Sequence, residues 1–292
     1  MKLEIENPYA PIEELKLPLF AEKGIRVFLK REDLSHPFIS GNKWRKLKYH
    51  LIDAAEQNKN HLVTFGGAYS NHILAAAAAG AKYQFKTTGI IRGEKVENPV
   101  LKLCEWFGMR LLFVSRTDYR NKEALYDYYF GSDPDAYFIN EGGASALGER
   151  GVQEIFDDLN QMYDDIFCSV GTGSTLKGLI QAVKERNLLT VVHGISVLKG
   201  AESLDNLIEP SDRERARIYH QFHEGGYAKT TPELLDFIRH FTAQTGILMD
   251  QVYEGKMMKA LFHLIESDQI IPGSKILTLH NGGLSGMISL LQ

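Results

Sequence analysis

Ser40-Gly41-Asn42-Lys43-Trp44-Arg45-Lys46 is the stretch around which the chain is organised. It follows the strand-like run Ile25-Arg26-Val27-Phe28-Leu29-Lys30. It precedes Leu47, His50, Leu51 and Ala54 at helical spacing, so it reads as a strand-to-helix corner whose helix runs to about Gln57. Behind the Ser-Gly-Asn turn stand three cations, Lys43, Arg45 and Lys46. Asn42 is expected to cap the helix, its short side-chain oxygen accepting an orphan backbone N–H. Lys43 then projects from the first helical turn, where the positive end of the helix dipole and the neighbouring Arg45 and Lys46 lower its pKa. A lysine tuned in this way is a nucleophile toward carbonyls. The plainer reading is a solvated basic helix start.

Outward from this corner, strand and helix signals alternate with short connections. Leu62-Val63-Thr64-Phe65 is a short buried strand, and Gly66-Gly67-Ala68-Tyr69-Ser70-Asn71-His72 turns from it into an Ala-rich helix over Ala75–Ala81. Asp165–Val170 is a strand that feeds Gly171-Thr172-Gly173-Ser174-Thr175 and a helix through Val183. Helices are expected over Leu147–Met162, Pro232–Gln244, Tyr253–Ser267 and Leu284–Leu291, with strands at Lys86–Ile91, Arg110–Val114, Val191–Val197 and Lys275–Leu279. The residues up to Phe20, punctuated by Pro8, Pro11 and Pro18, read as an irregular lead-in, and Asp205–Thr231 gives no clear pattern. The alternation predicts an α/β fold of mostly parallel sheets flanked by helices on both faces. Ligands on such sheets bind at the carboxyl ends of the strands, so each glycine-rich turn is a candidate wall of a site.

Composition narrows the class. The chain has 292 residues, 44% hydrophobic and 24% charged, with a formal net charge of −4. That is enough chain for a sizeable core in one or two domains. The charge argues against nucleic-acid binding as the main task, which shows as a basic patch or tail. Cys104 and Cys168 fit no metal spacing and read as packed thiols in a reducing compartment. The first six residues carry no long apolar run, and no stretch approaches the roughly 18 apolar residues of a membrane span, so a cytoplasmic location with no membrane partner is expected.

The turns carry the chemistry. Gly171–Gly178 suits an anion, because small residues let the backbone approach closely and amides at a helix start point at the charge. It is not a Walker A loop, since Lys177 precedes Gly178, and it is a poor dinucleotide fingerprint, since Leu176 stands where the third glycine belongs. A lone phosphate fits better. Asn71 is a candidate cap of its helix. His72 reads as a packed or surface histidine, with no second metal ligand at useful spacing, so no metal site is assigned. Asp250-Gln251-Val252-Tyr253-Glu254-Gly255-Lys256 puts a tyrosine and a carboxylate at a helix start, which by itself is dipole-favourable placement. His280-Asn281-Gly282-Gly283 ends the last strand. Pyridoxal phosphate needs a lysine for its aldehyde, a phosphate cup and a partner for its ring nitrogen. Lys43, the Gly171–Thr175 turn and Glu254 can supply the three.

These residues resemble the family of 1-aminocyclopropane-1-carboxylate deaminases and D-cysteine desulfhydrases, within the tryptophan-synthase-β-like pyridoxal-phosphate enzymes. The matching pieces are Gly41–Leu47, Gly66–Asn71, Gly171–Thr175, Val252–Lys256 and His280–Gly283, in family order across nearly the whole chain. The resemblance implies a large domain from residues 1–46 plus 139–292, a small inserted domain over 47–138, and pyridoxal phosphate in the cleft between them. It implies that Lys43 bonds the cofactor and handles the substrate's α-proton, that Lys46 and Gly171, Thr172, Gly173, Ser174 and Thr175 hold the phosphate, that Asn71 meets the ring hydroxyl and that Glu254 faces the ring nitrogen. Ser70 is similar to a serine near the substrate carboxylate, and Tyr253 and Tyr227 resemble active-site tyrosines. The implied activity is deamination of a small amino acid in a homodimeric enzyme. Asn281 departs from the family pattern, in which deaminases carry an apolar residue there and desulfhydrases a hydroxyl residue. Arg45 has no assigned role. Two other readings are a non-catalytic pyridoxal-phosphate-binding member of the fold and an NAD-dependent oxidoreductase using the Gly171 turn.

Overall fold

The computed structural model describes residues 3–290, with side chains through residue 287. Met1 and Lys2 of the leader, and Leu291 of the expected closing helix, lie outside the described residues. The chain runs through β1 (Ile12–Leu15), α1 (Pro18–Glu22), β2 (Arg26–Lys30), α2 (Asn42–Glu56), β3 (His61–Gly67), α3 (Asn71–Tyr83), β4 (Lys86–Arg92), α4 (Pro99–Trp106), β5 (Arg110–Val114), α5 (Lys122–Phe130) and β6 (Ala136–Ile139). It continues through α6 (Ala146–Gln153), β7 (Asp165–Val170), α7 (Ser174–Glu185), β8 (Val191–Ser196), β9 (Ala216–Tyr219), α8 (Pro232–Thr245), α9 (Glu254–Glu266) and β10 (Lys275–Leu279).

Two sheets result. The larger has the order β1-β2-β10-β7-β8-β9, the smaller β5-β4-β3-β6. Every pairing is parallel except β1 with β2. Both faces of the larger sheet are apolar, and side chains divide by the strand period of two. Val27, Leu29, Phe167 and Ile276 pack with Met257, Leu261 and Leu264 of α9 on one face. Phe28, Ile166, Cys168 and Leu277 pack with Leu176, Leu179 and Val183 of α7 on the other. The smaller sheet is covered in the same way. Its Leu62 and Ile91 meet the alanines 75–79 of α3, while Val63, Phe65 and Ile90 meet Phe130 of α5.

The strands absent from the sequence reading are β1, β6 and β9. Each is four residues long and each is the outer strand of its sheet. An outer strand needs no continuous apolar run, and Ile12-Glu13-Glu14-Leu15 shows none. The lead-in is therefore not irregular, since it holds β1 and α1. The expected helix Leu147–Met162 is shorter, ending at Gln153 and tightening into a 3₁₀ segment at Glu154–Asp158. The closing segment is likewise a 3₁₀ helix, Leu284–Leu290.

Arg45 finds its place here, in the core. Its guanidinium donates twice to Glu32, at 3.0 and 2.9 Å, and to Asp158, while Lys30 lies 3.5 Å from Glu32. Arg45, Lys30 and Glu32 are all fully buried. Removing one partner of such a cluster leaves a buried charge uncompensated. Arg45→Met is expected to cost about 3–5 kcal/mol by denaturant melting while the chemistry of the site residues is retained. That outcome separates Arg45 from the two lysines beside it.

Candidate active site

The parallel order puts the carboxyl ends of β2, β10 and β7 side by side, and the turns that follow them meet. The N-cap of α2 is Gly41, not Asn42. Its φ of 69° is a conformation that favours glycine, and a Cβ there would lie 1.7 Å from the carbonyl oxygen of Asn281. Asn42 instead begins the helix, and its amide donates to Thr175 Oγ1 at 2.9 Å. The corner therefore touches the turn after β10 with its backbone and the turn after β7 with a side chain.

Lys43, next along, has its pKa lowered to about 8, chiefly by burial, with the nearby Glu254 carboxylate pulling it back up. The direction matches the sequence expectation and the cause does not. Arg45 is neutralised by its carboxylates, and it is desolvation that disfavours the ammonium. Lys46 is buried and pushed well below the usual lysine range by burial first and by Lys43 second.

The turn after β3 supplies Ser70 and Asn71. Ser70, not Asn71, caps α3, its Oγ accepting the Ile73 N–H at 3.4 Å. Asn71 is left free of capping, and its Oδ1 accepts from Ser285 Oγ at 2.9 Å. His72 is packed, as read. Thr64 Oγ1 lies 2.8 Å from its Nε2 and donates to the Ile139 carbonyl, so the imidazole Nε2–H is the donor. Its Nδ1 is buried without a partner. Burial holds this imidazole well below its ordinary pKa, with Lys43, His50 and Lys46 adding to the effect.

The turn after β7 ends at Gly173, the N-cap of α7, with a φ of 85°. Ser174 Oγ is buried and has no hydrogen-bond partner. A Cβ on Gly171 would lie 3.2 Å from Tyr253 Cε1, so this turn abuts the start of α9. That start is organised by Asp250, which the motif reading left without a role. Asp250 Oδ1 accepts from Val252 N and Tyr253 N, both at 2.8 Å, and Oδ2 accepts from Glu254 N at 3.0 Å. The signal was an aspartate four residues before an apolar helical run.

Glu254 is buried, with Oε1 accepting from Ser169 Oγ at 3.0 Å and from Asn281 Nδ2 at 3.3 Å. Its Oε2 has no partner. Burial and the Asp250 charge raise its pKa, against the lowering contributions of Ser169 and Asn281. Asn281 thus acquires a contact that the sequence did not suggest. Tyr253 and Tyr227 are brought together, hydroxyl to hydroxyl at 3.3 Å with ring centroids 6.0 Å apart. Burial, with Tyr227 next, pushes the Tyr253 phenol well above its ordinary value.

Glu254 Oε2 and Ser174 Oγ are among the buried polar atoms here that have no protein partner. A buried polar group without a hydrogen bond is costly and points to a ligand. A protonated ring nitrogen satisfies the first, and a phosphate at a helix start satisfies the second. A buried lysine with a lowered pKa completes the set. The residues fit pyridoxal phosphate. The family model described as pyridoxal-phosphate dependent enzyme matches residues 5–282. The chain belongs to the pyridoxal-phosphate dependent enzyme family. It is 29% identical over 309 residues to the bifunctional D-cysteine desulfhydrase/1-aminocyclopropane-1-carboxylate deaminase of Arabidopsis thaliana, covering 95% of this chain and 77% of that protein. It is 25% identical over 319 residues to the D-cysteine desulfhydrase of Klebsiella pneumoniae, covering 99% and 95%. A solved structure of an ACC deaminase homologue superposes with a TM-score of 0.82 at 30% identity, covering 98% of this chain and 92% of that one. As a pyridoxal-phosphate dependent enzyme the chain takes that cofactor, which sets aside the NAD-dependent reading of the Gly171 turn.

Proposed function

We propose that the enzyme deaminates a small amino acid, 1-aminocyclopropane-1-carboxylate or D-cysteine, releasing ammonia and a 2-oxo acid, with sulfide when D-cysteine is consumed. The named relatives support this reading, and the observation that carries it is the buried, partnerless Glu254 Oε2. When bound, pyridoxal phosphate supplies an electron-withdrawing ring that stabilises negative charge at the substrate's α-carbon. A carboxylate at the ring nitrogen keeps that nitrogen protonated and deepens this effect, which suits elimination or ring opening. The raised pKa of Glu254 describes a carboxyl group waiting for a cationic partner.

The other roles follow from placement. Lys43, at about 8, has an accessible free-amine form, so it would hold the cofactor's aldehyde and serve as the base, taking the α-proton of D-cysteine or, since 1-aminocyclopropane-1-carboxylate has no α-proton, a ring-methylene proton of that substrate. Lys46, Thr175 and the unpaired Ser174 hydroxyl hold the phosphate with the backbone of Gly171–Gly173. Asn71, its Oδ1 already engaged by Ser285, has its amide N–H₂ left to donate to the ring hydroxyl. Ser70 meets the substrate carboxylate at the start of α3. Tyr253 and Tyr227 form a hydroxyl pair that moves a proton to the leaving group. A cavity of about 260 Å³ is bordered by Ser40, Asn71 and Gly283, so among the proposed site residues Asn71 is the one that faces it. We also propose the division into 1–46 plus 139–292 and 47–138 as two domains, a homodimer and a cytoplasmic location. Among the described residues no helix is long and apolar enough to cross a membrane.

The test is a panel of D-cysteine, 1-aminocyclopropane-1-carboxylate, D-serine and L-cysteine, followed by 2-oxo acid release. Turnover of either of the first two supports the proposal. A cofactor-loaded protein that turns over none of the four favours a binding role instead. Loading itself has a pH signature. Reconstitution with added pyridoxal phosphate should speed up about tenfold per pH unit below about 8 and level off above it, because only the free amine attacks an aldehyde. A flat stopped-flow profile between pH 6 and 9 would remove Lys43 from this role.

A further inference from the structure

Lys256 lies two residues beyond Glu254 in α9 and is fully buried. Its ammonium donates to two main-chain carbonyls, His223 O at 2.9 Å and Gly226 O at 2.7 Å. The carboxylate in this region, Glu224, is engaged elsewhere, 2.9 Å from Lys259 and accepting from Thr231 Oγ1 at 2.9 Å. A buried ammonium held by neutral carbonyls is an expensive device for a core position, where an apolar side chain of the same volume packs without that cost. Burial accordingly lowers its pKa to about 8, with Glu224 and Asp250 opposing.

The two carbonyls belong to successive turns. His223 O also accepts from Gly226 N at 3.0 Å, and Gly226 O from Lys229 N at 3.1 Å. The backbone between them is unusual: φ is 51° at Glu224, 91° at Gly225, 114° at Gly226 and 53° at Ala228. The glycines adopt such angles freely, but Glu224 and Ala228 persist there only where their surroundings over-determine them. The lysine is the group that ties both turn carbonyls to α9, and the residue following the second carbonyl is Tyr227, whose hydroxyl meets Tyr253. Tyr253, Glu254 and Lys256 therefore leave the same helix start with three destinations: the phenol pair, the ring nitrogen and the loop behind Tyr227.

We infer that Lys256 is a positioning residue that, by clamping the carbonyls of His223 and Gly226, holds Tyr227 against Tyr253 at the active site. This rests on the proposed role of the tyrosine pair. The clamp acts through the loop, so its removal and the removal of the Tyr227 hydroxyl cost the same contribution.

The experiment is a double-mutant cycle on the cofactor-loaded enzyme with Lys256→Met and Tyr227→Phe, read by kcat/KM on the substrate that the panel identifies. Each single variant is expected to lose about tenfold, and the double variant to lose no more than the worse single. The visible cofactor band and the cofactor affinity should stay as in wild type, because Lys43 and Glu254 are untouched. Losses that multiply, or a Lys256→Met protein that no longer holds cofactor, overturn the inference. If Lys256→Met does not fold, the cycle is run with Gly226→Ala. That change disturbs the clamped carbonyl from the loop side, since φ is 114° and a Cβ would lie 3.3 Å from Lys199 Cβ. Multiplicative losses overturn the inference there too. A second readout does not depend on turnover: trypsin cleavage after the exposed Lys229 should accelerate several-fold in the Lys256 or Gly226 variant. An unchanged cleavage rate overturns the clamp. If wild type takes up no cofactor at all, the proposed function has failed, and the cleavage rate alone decides the clamp.

Discussion

Lys43→Ala is expected to take up no covalently held cofactor, to show no visible band, and to lose activity by a factor on the order of 10⁴ or more. The expectation rests on position as much as on chemistry. Lys43 is the first-turn residue of α2 whose neighbour Asn42 is tied to the Gly171 turn and whose N-cap is wedged against Asn281. Among the described residues no other lysine combines that location with a suppressed charge close to Glu254. Lys46 is buried too, yet the role proposed for it is to hold the phosphate. The variant also separates chemistry from folding. The folded-state pKa of Lys43 lies below the unfolded one, so its burial opposes folding fully below about pH 8 and the opposition fades as pH rises toward the unfolded value. At pH 7 the cofactor-free Lys43→Ala protein should therefore melt no lower than cofactor-free wild type. A variant that keeps the band, or that loses activity only by unfolding, would refute the assignment.

Glu254→Gln tests the other pole of the site. Glutamine keeps the shape and leaves an oxygen for Ser169 and Asn281, so the local packing should survive. It replaces the partnerless oxygen with an amide that cannot hold a proton on a ring nitrogen. The expected result is a protein that still binds cofactor with a visible band, a kcat lowered by about 100-fold or more, and a KM changed little, because the lost interaction stabilises charge that develops during reaction. An unchanged kcat in steady-state assays would mean that Glu254 faces something else. Because the buried carboxyl is already held above its ordinary pKa, the neutral glutamine should be tolerated by the fold.

Much of the fold was legible in the sequence. Strands buried on both faces carry continuous apolar runs, so β2, β3, β7, β8 and β10 were readable. Their short outer neighbours β1 and β9 were not, because one flank of each is free of a partner strand. Motif identity also carried far, since residues such as Glu254 and Tyr253 can be named from a five-residue pattern. The capping assignments failed for a physical reason. Both Gly41-Asn42 and Ser70-Asn71 offer two residues that tolerate a cap, and tertiary contacts decide which one takes it. The cause of the lysine's low pKa was also hidden, because the carboxylates that neutralise Arg45 come from Glu32 and the distant Asp158. The contacts of Ser169, Asn281 and Ser285 link residues up to 214 positions apart, and no local pattern encodes such pairings.

The place of β10 in the larger sheet bears on how this enzyme is made. The strand Lys275–Leu279 lies between β2 and β7, and its register pairs Leu279 with Lys30. During synthesis, β2 and β7 emerge from the ribosome with a gap between them that stays open until residues 275–279 have emerged as well. The smaller sheet, built from one continuous segment, can close long before. At about 5–20 residues per second, the interval lasts several seconds, with an unpaired strand edge on each side of the gap. The lysine corner is translated well before β10 and has no complete site to belong to until that strand slots in. Activity should consequently appear only once residues 275–283 have emerged, and a stalled chain lacking them should leave the larger sheet in two pieces exposed to chaperones and proteases.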